Sequence, residues 1–129
     1  PRRPRRVRLV PLPRLRRPRP RPRLEKPRVT EKQLQQAIVD YARLAGWLVF
    51  HPHDSRRSEP GFPDLVLVRD RVIFAELKTD DGRMSKEQSA WTYALAQAGA
   101  EVYLWRPSDW FDGRVEHALR RHVAARRAA

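Results

Sequence analysis

Gly61-Phe62-Pro63-Asp64 and Ala75-Glu76-Leu77-Lys78 bracket the part of the chain that decides its fold. Between them lie two short apolar runs, Leu65 to Val68 and Val72 to Ala75, joined by Arg69-Asp70-Arg71. Two such runs around a polar turn read as a strand hairpin. Side chains alternate along a strand, so Glu76 and Lys78 share a face and stand roughly 6–7 Å apart. Asp64 opens the first strand, while Glu76 and Lys78 close the second. In an antiparallel pair those ends are neighbours. Leu65 to Val68 is continuously apolar, which predicts a strand covered on both faces.

Outward from the hairpin, helix and strand signals alternate. Thr30-Glu31-Lys32-Gln33 is a capping-box pattern with Thr30 as N-cap and Gln33 at N3. Leu34, Ile38, Tyr41, Ala42 and Ala45 then follow at helical spacing, and Gly46 fits the C′ position. Glu31 sits at the end of that apolar stripe and is expected to face the core. Trp47 to His51 reads as a short strand, and the segment from His51 to Pro60 as a polar loop. Arg56 and Arg57 in this loop are candidate phosphate contacts. His51 and His53 beside Asp54 form a weaker metal-ligand candidate, interrupted by Pro52.

Beyond the hairpin, Ser85-Lys86-Glu87-Gln88 repeats the capping box and opens a helix ending near Gly99. Its stripe is Gln88, Trp91, Leu95 and Ala98. Glu101 to Trp105 is another strand, ended by Pro107 and Ser108. A last helix, broken or delayed at Asp112-Gly113, carries Val115, Leu119 and Val123. The expected order is helix, three strands, helix, strand, helix.

Charge is very unevenly placed. Residues 1–28 hold twelve Arg and one Lys against one Glu, +12 of the total +13. Eight of the twelve prolines also fall there. Proline interleaved with mutually repelling arginine predicts an extended, disordered arm over 1–28, with the folded domain at 29–129. Such an arm suits phosphate backbones. The absence of cysteine excludes disulfides and thiolate metal sites. No apolar run reaches the roughly 20 residues of a membrane span. The first residues lack the apolar segment of a signal peptide, so a cytoplasmic protein is expected.

Two carboxylates and an ammonium meeting at one rim of a small sheet would suit holding Mg²⁺ or Mn²⁺ beside a phosphodiester. Asp64 and Glu76 would supply two oxygens, and the Leu77 carbonyl, between Glu76 and Lys78, a third. Lys78 would touch the attacking water and the scissile phosphate. Glu31 would bind a second ion or orient a water. Each piece alone is weak, since Glu-x-Lys on a strand is usually a surface pair and Pro-Asp usually a turn. The ordered combination is far more selective.

That combination resembles the VRR-NUC domain, a branch of the PD-(D/E)XK nuclease superfamily. The matching pieces are Glu31, Gly61-Phe62-Pro63-Asp64, Glu76-Leu77-Lys78 and Ser85-Lys86-Glu87-Gln88, within residues of about 29–121. The resemblance implies an α/β, restriction-endonuclease-like fold, a central mixed β-sheet flanked by helices. It implies Mg²⁺ or Mn²⁺ at Asp64, Glu76 and the Leu77 carbonyl, Lys78 as catalytic lysine, and Glu31 and Gln88 as supporting residues. Small stand-alone members of this family, mostly from bacteria and phages, are homodimeric junction-resolving nucleases. The length of this chain fits that type. The expectation is therefore a metal-dependent DNA endonuclease acting on junctions or flaps, as a homodimer. Trp105, Trp110 and Phe111 are possible interface residues, with a core role the stronger reading. Two competing readings are a DNA-binding accessory protein driven by the arm, and a structural charge cluster without chemistry.

Overall fold

Thr30 starts the folded part because its hydroxyl accepts from the Gln33 N–H at 3.1 Å, while Gln33 Oε1 accepts from the Thr30 N–H at 3.0 Å. These two bonds satisfy donors that a helix start otherwise leaves open. The helix α1 (Glu31–Leu44) then buries Leu34, Ile38, Val39 and Ala42 along one stripe. Gly46, at φ +90°, turns the chain into a conformation that residues with a Cβ avoid. The computed structural model describes residues 8, 10–20, 28–52 and 59–123. Residues 8 and 10–20 carry no helix or strand, and all are exposed.

The remaining elements follow in the order β1 (Leu48–Phe50), β2 (Leu65–Val68), β3 (Val72–Leu77), α2 (Lys86–Gln97), β4 (Glu101–Trp105), α3 (Pro107–Phe111) and α4 (Arg114–Arg120). They make a mixed sheet ordered β1-β2-β3-β4. The first two pairings are antiparallel, and β3–β4 is parallel, with α2 in the crossover. Leu65, Leu67, Ile73, Ala75, Leu77 and Trp105 point from the sheet into one core with the buried faces of α1 and α4.

The other face is covered differently from expectation. Strand β2 alternates, with Leu65 and Leu67 buried and Val68 exposed, rather than being covered on both sides. Helix α2 buries none of its residues completely, and Trp91 and Leu95 are only half-buried. Phe62 stands edge-on to both Phe74 and Trp91, so α2 lies on the Phe74 face. It leaves Leu48, Phe50, Val68 and Val72 exposed. A single helix is too narrow to shield four strands spaced about 4.8 Å apart.

Two further differences concern the C-terminal part. Pro107 does not merely end β4. It opens α3, because its fixed φ and missing N–H suit a first helical turn. The last helix is thus two helices separated by Asp112-Gly113, and Val123 lies beyond α4. Trp105 is core, Trp110 is half-buried edge-on to Tyr41, and Phe111 is exposed.

The hairpin turn is locked at the rim away from Asp64. Arg69 and Arg71 lie over the Trp47 ring, with guanidinium carbons 4.4 Å and 5.1 Å from its centroid. Arg69 donates to the carbonyls of Ala45, Leu119 and Arg121, and Trp47 Nε1 also donates to Leu119 at 2.9 Å. Arg71 donates to the carbonyls of Ala118 and Arg121 and to Glu101 Oε2 at 2.7 Å. These cations cap the open carbonyls of α4, where the helix dipole also favours positive charge. The Val123 N–H, followed by Arg69, holds the Asp70 carboxyl well below the usual carboxylate range. Arg71→Ala would take a donor from the Ala118 carbonyl and from Glu101 Oε2, while Arg69 still serves the Arg121 carbonyl. It is expected to lower stability by about 1–3 kcal/mol, read by thermal or urea unfolding. Arg71→Lys should recover only part, because an ammonium cannot reproduce the planar fork.

Candidate active site

Leu65 pairs with Ala75, so the next rung of the hairpin sets Asp64 opposite Glu76 on the same face. Asp64 is fixed there by its backbone neighbours: Oδ2 accepts from the Leu77 N–H at 2.8 Å. In an extended residue the N–H and C=O face the same neighbour, so the Leu77 carbonyl is also turned to the Asp64 side. The next residue faces the other way, and the Lys78 N–H donates to the Trp105 carbonyl at 3.1 Å. The parallel partner thereby sets where Lys78 leaves the sheet.

The approach to Asp64 is set by the Gly-Phe-Pro segment. Gly61 has φ +87°, and a Cβ there would meet the Glu87 carbonyl carbon at 2.3 Å and the Gln88 nitrogen at 2.6 Å. The loop is therefore pressed onto the first turn of α2. Phe62 fills the gap between Phe74 and Trp91, and Pro63 is buried. Gly61→Ala combines an unfavourable backbone conformation with a backbone collision. We expect it to destabilise by at least about 2 kcal/mol in a denaturant titration and to displace Asp64.

Glu76 is the one buried charged side chain among the described residues, 1% exposed. Its Oε1 accepts from Gln88 Nε2 at 2.9 Å, while its Oε2 is buried without a hydrogen-bond partner. Burial first, and then the adjacent Asp64 carboxyl, push its pKa up to about 9; Lys78 pulls the other way. Gln88 does two jobs at once. Its Oε1 accepts from the Ser85 N–H at 2.8 Å, closing the cap of α2, and its Nε2 reaches Glu76. The capping box that explains Gln88 locally is also what aims it at the site.

Lys78 Nζ lies 4.0 Å from Glu31 Oε1, and the Lys78 side chain is 14% exposed. Glu31 does not face the core as its stripe position suggests. It stands in the first turn of α1 with its side chain half-exposed, because the sheet ends there and Lys78 offers a counter-charge. The structure thus brings Glu31, Asp64, Glu76, Leu77, Lys78 and Gln88 to one rim. Arg56, Arg57, His53 and Asp54 lie outside the described residues.

Two further residues stand at this rim. Arg106 donates to the Thr79 and Gly82 carbonyls at 2.6 Å each, holding the loop that follows Lys78. Nothing local marks it, since its targets lie over twenty residues away. Gln35 lines a cleft of about 310 Å³ together with Pro52, Gly61, Phe62, Asp64 and Gln88. Its spacing of four from Glu31 is the signal that would have found it.

The donor set fits a hard divalent cation. Two carboxylates and a turned carbonyl offer oxygen only, and one buried carboxylate oxygen has no donor. Among the described residues no cluster of three His, Asp or Glu forms a protein cage.

A mixed four-stranded sheet with helices on both faces, carrying this acidic rim, defines the restriction-endonuclease-like nuclease fold. The family model for the VRR-NUC domain matches residues 8–109, and the chain belongs to that family. Two solved structures share the fold. One, described as a VRR_NUC domain protein, superposes with TM-score 0.57 at 16% identity, covering 69% of this chain and 87% of its own. The other, described as a VRR_NUC domain, gives TM-score 0.57 at 25% identity, covering 69% and 98%. Comparison with curated proteins returns no match.

Proposed function

We propose that this protein is a Mg²⁺- or Mn²⁺-dependent DNA endonuclease that cuts branched DNA, as junctions or flaps. The observation carrying this reading is the buried, unpartnered Glu76 Oε2 beside a second carboxylate. Burying such an oxygen is unfavourable unless a proton or a cation completes it, and a bound cation would displace the proton that Glu76 otherwise holds. Asp64, Glu76 and the Leu77 carbonyl would hold the ion. Bound there, it would lower the pKa of a coordinated water and polarise the phosphoryl oxygen. Lys78, steadied by Glu31, would position that water and neutralise charge building on the phosphate. Gln88 would keep Glu76 from rotating away. Hydrolysis then breaks one P–O bond and leaves a phosphate and a hydroxyl end.

Symmetric cutting of a junction takes two active sites, so we further propose a homodimer. Sedimentation showing only monomer at micromolar concentration would speak against it. We take residues 1–28 as a phosphate-binding arm and 29–129 as the nuclease domain, in a cytoplasmic protein. Among the described residues no helix is long and apolar enough to cross a membrane. The deciding experiment incubates the protein with Mg²⁺ or Mn²⁺ and a four-way junction, a flap and a plain duplex. Cutting of the branched substrates ahead of the duplex is expected. No cutting of any of them overturns the reading. The density of arginine in the arm favours one rival, a non-catalytic DNA-binding accessory protein. Deleting residues 1–28 separates the two: a nuclease still cuts at low salt, with weaker binding and a shallower salt slope.

A further inference from the structure

We propose that Gln35 is a substrate-binding residue whose carboxamide holds a DNA phosphate next to the scissile one. The proposal rests on the nuclease reading and names a contact that this reading does not require. Three glutamines lie close together on α1, and two are already engaged. Gln33 closes the N-terminal cap, and Gln36 Nε2 donates to Asp40 at 2.8 Å. Gln35 is half-buried and, among the described residues, hydrogen-bonds to nothing. It stands one turn after Glu31, whose carboxylate lies 4.0 Å from the Lys78 ammonium, so α1 presents both along the same side.

The cleft itself says what Gln35 is suited to hold. Its wall is Pro52, Pro60, Pro63, Gly61 and Phe62, and three of these have no N–H to donate. Its charged members, Glu59 and Asp64, are acidic and repel a phosphate. Gln88 has both ends of its amide engaged. Among the described side chains that line the cleft, that leaves the Gln35 amide as the neutral donor group with neither end spent on the protein. Lys78 serves the scissile phosphate. A strand lying across this rim therefore meets Gln35 Nε2 as a donor for a non-bridging oxygen of a neighbouring phosphate.

The test measures binding and cleavage by wild type, Gln35→Ala and Gln35→Glu on one branched DNA. Binding is read by fluorescence anisotropy in Ca²⁺, and cleavage as separate kcat and KM in Mg²⁺. Loss of a hydrogen bond to a charged group should weaken binding and raise KM about tenfold, with kcat within about threefold. Gln35→Glu should be worse than Gln35→Ala, because a carboxylate repels the phosphate. Mn²⁺ affinity by calorimetry and melting temperature should match wild type in both. Replacing single phosphates by neutral methylphosphonates should find one position that weakens wild type but leaves Gln35→Ala unchanged. Unaltered binding in both variants overturns the proposal. So does a loss confined to kcat or to Mn²⁺ affinity, which would make Gln35 a support for the carboxylates. A discrimination that follows base sequence and not the methylphosphonate position overturns it too, and points to a base-edge contact. A wild type that binds DNA without cutting sinks the nuclease reading, while the anisotropy comparison still decides Gln35.

Discussion

Asp64→Ala and Lys78→Ala are each expected to lose at least about 10²-fold in DNA cleavage while keeping the fold. Asp64 would hold the ion and Lys78 would meet developing charge, and either kind of contribution carries several kcal/mol of barrier. Neither side chain belongs to the apolar core, so melting temperature should change little. Asp64 does carry one structural bond, from the Leu77 N–H at 2.8 Å. Asp64→Asn keeps an acceptor for that N–H and removes only the charge. It should therefore be as inactive as Asp64→Ala, and it should ease the ionisation of Glu76, since the adjacent negative charge is gone. Time courses on a labelled junction with Mg²⁺ would check this, beside thermal unfolding. Variants that cut as fast as wild type would dismiss the carboxylate–lysine assignment.

The second large effect concerns pH and needs no DNA. Glu76 ordinarily titrates near 4.5, and in the folded chain its pKa rises to about 9. The folded state therefore holds a proton that the unfolded chain has released. Its contribution to stability is complete below about pH 4.5 and is lost as pH climbs towards 9. With metal chelated, the melting temperature should fall over that window. Each tenfold change in proton affinity is about 1.4 kcal/mol, and about 1 kcal/mol moves the melting point of a domain this size by roughly 4 °C or more. Glu76→Gln cannot ionise, so its melting point should stay flat and exceed wild type by at least about 4 °C near pH 8.5. Added Mg²⁺ should raise wild type at that pH and leave Glu76→Gln unmoved, because only a bound ion shifts the folding equilibrium. Parallel pH profiles for the two proteins would refute the account.

Most of the hairpin and both capping boxes were legible because each depends on residues close in sequence. Thr30 with Gln33, and Ser85 with Gln88, need only a spacing of three, and the register from Leu65 to Ala75 follows from a three-residue turn. The rim of Asp64, Glu76 and Lys78 follows from that register alone. What escaped reading depends on distant partners. The half-coverage of β2 reflects how narrow α2 is, which no feature of Leu65 to Val68 encodes. Glu31 looks core-facing on a helical wheel, yet the sheet stops short of it. The second task of Gln88 is invisible locally because its cap already accounts for it. Arg106 acts on Thr79 and Gly82, and Arg71 on Ala118, and neither link leaves a trace in spacing. Pro107 looks locally like a strand terminator, although the same fixed φ lets it start α3.

The fork of Arg69 and Arg71 over Trp47 sits at one pole of the sheet, and the acidic rim at the other. Among the described residues, the first cluster is joined to the second through the length of the strands and of α1, whose C-cap carbonyl Arg69 holds and whose first turn carries Glu31. This division of labour lets the chain be hardened at one end without retuning the other.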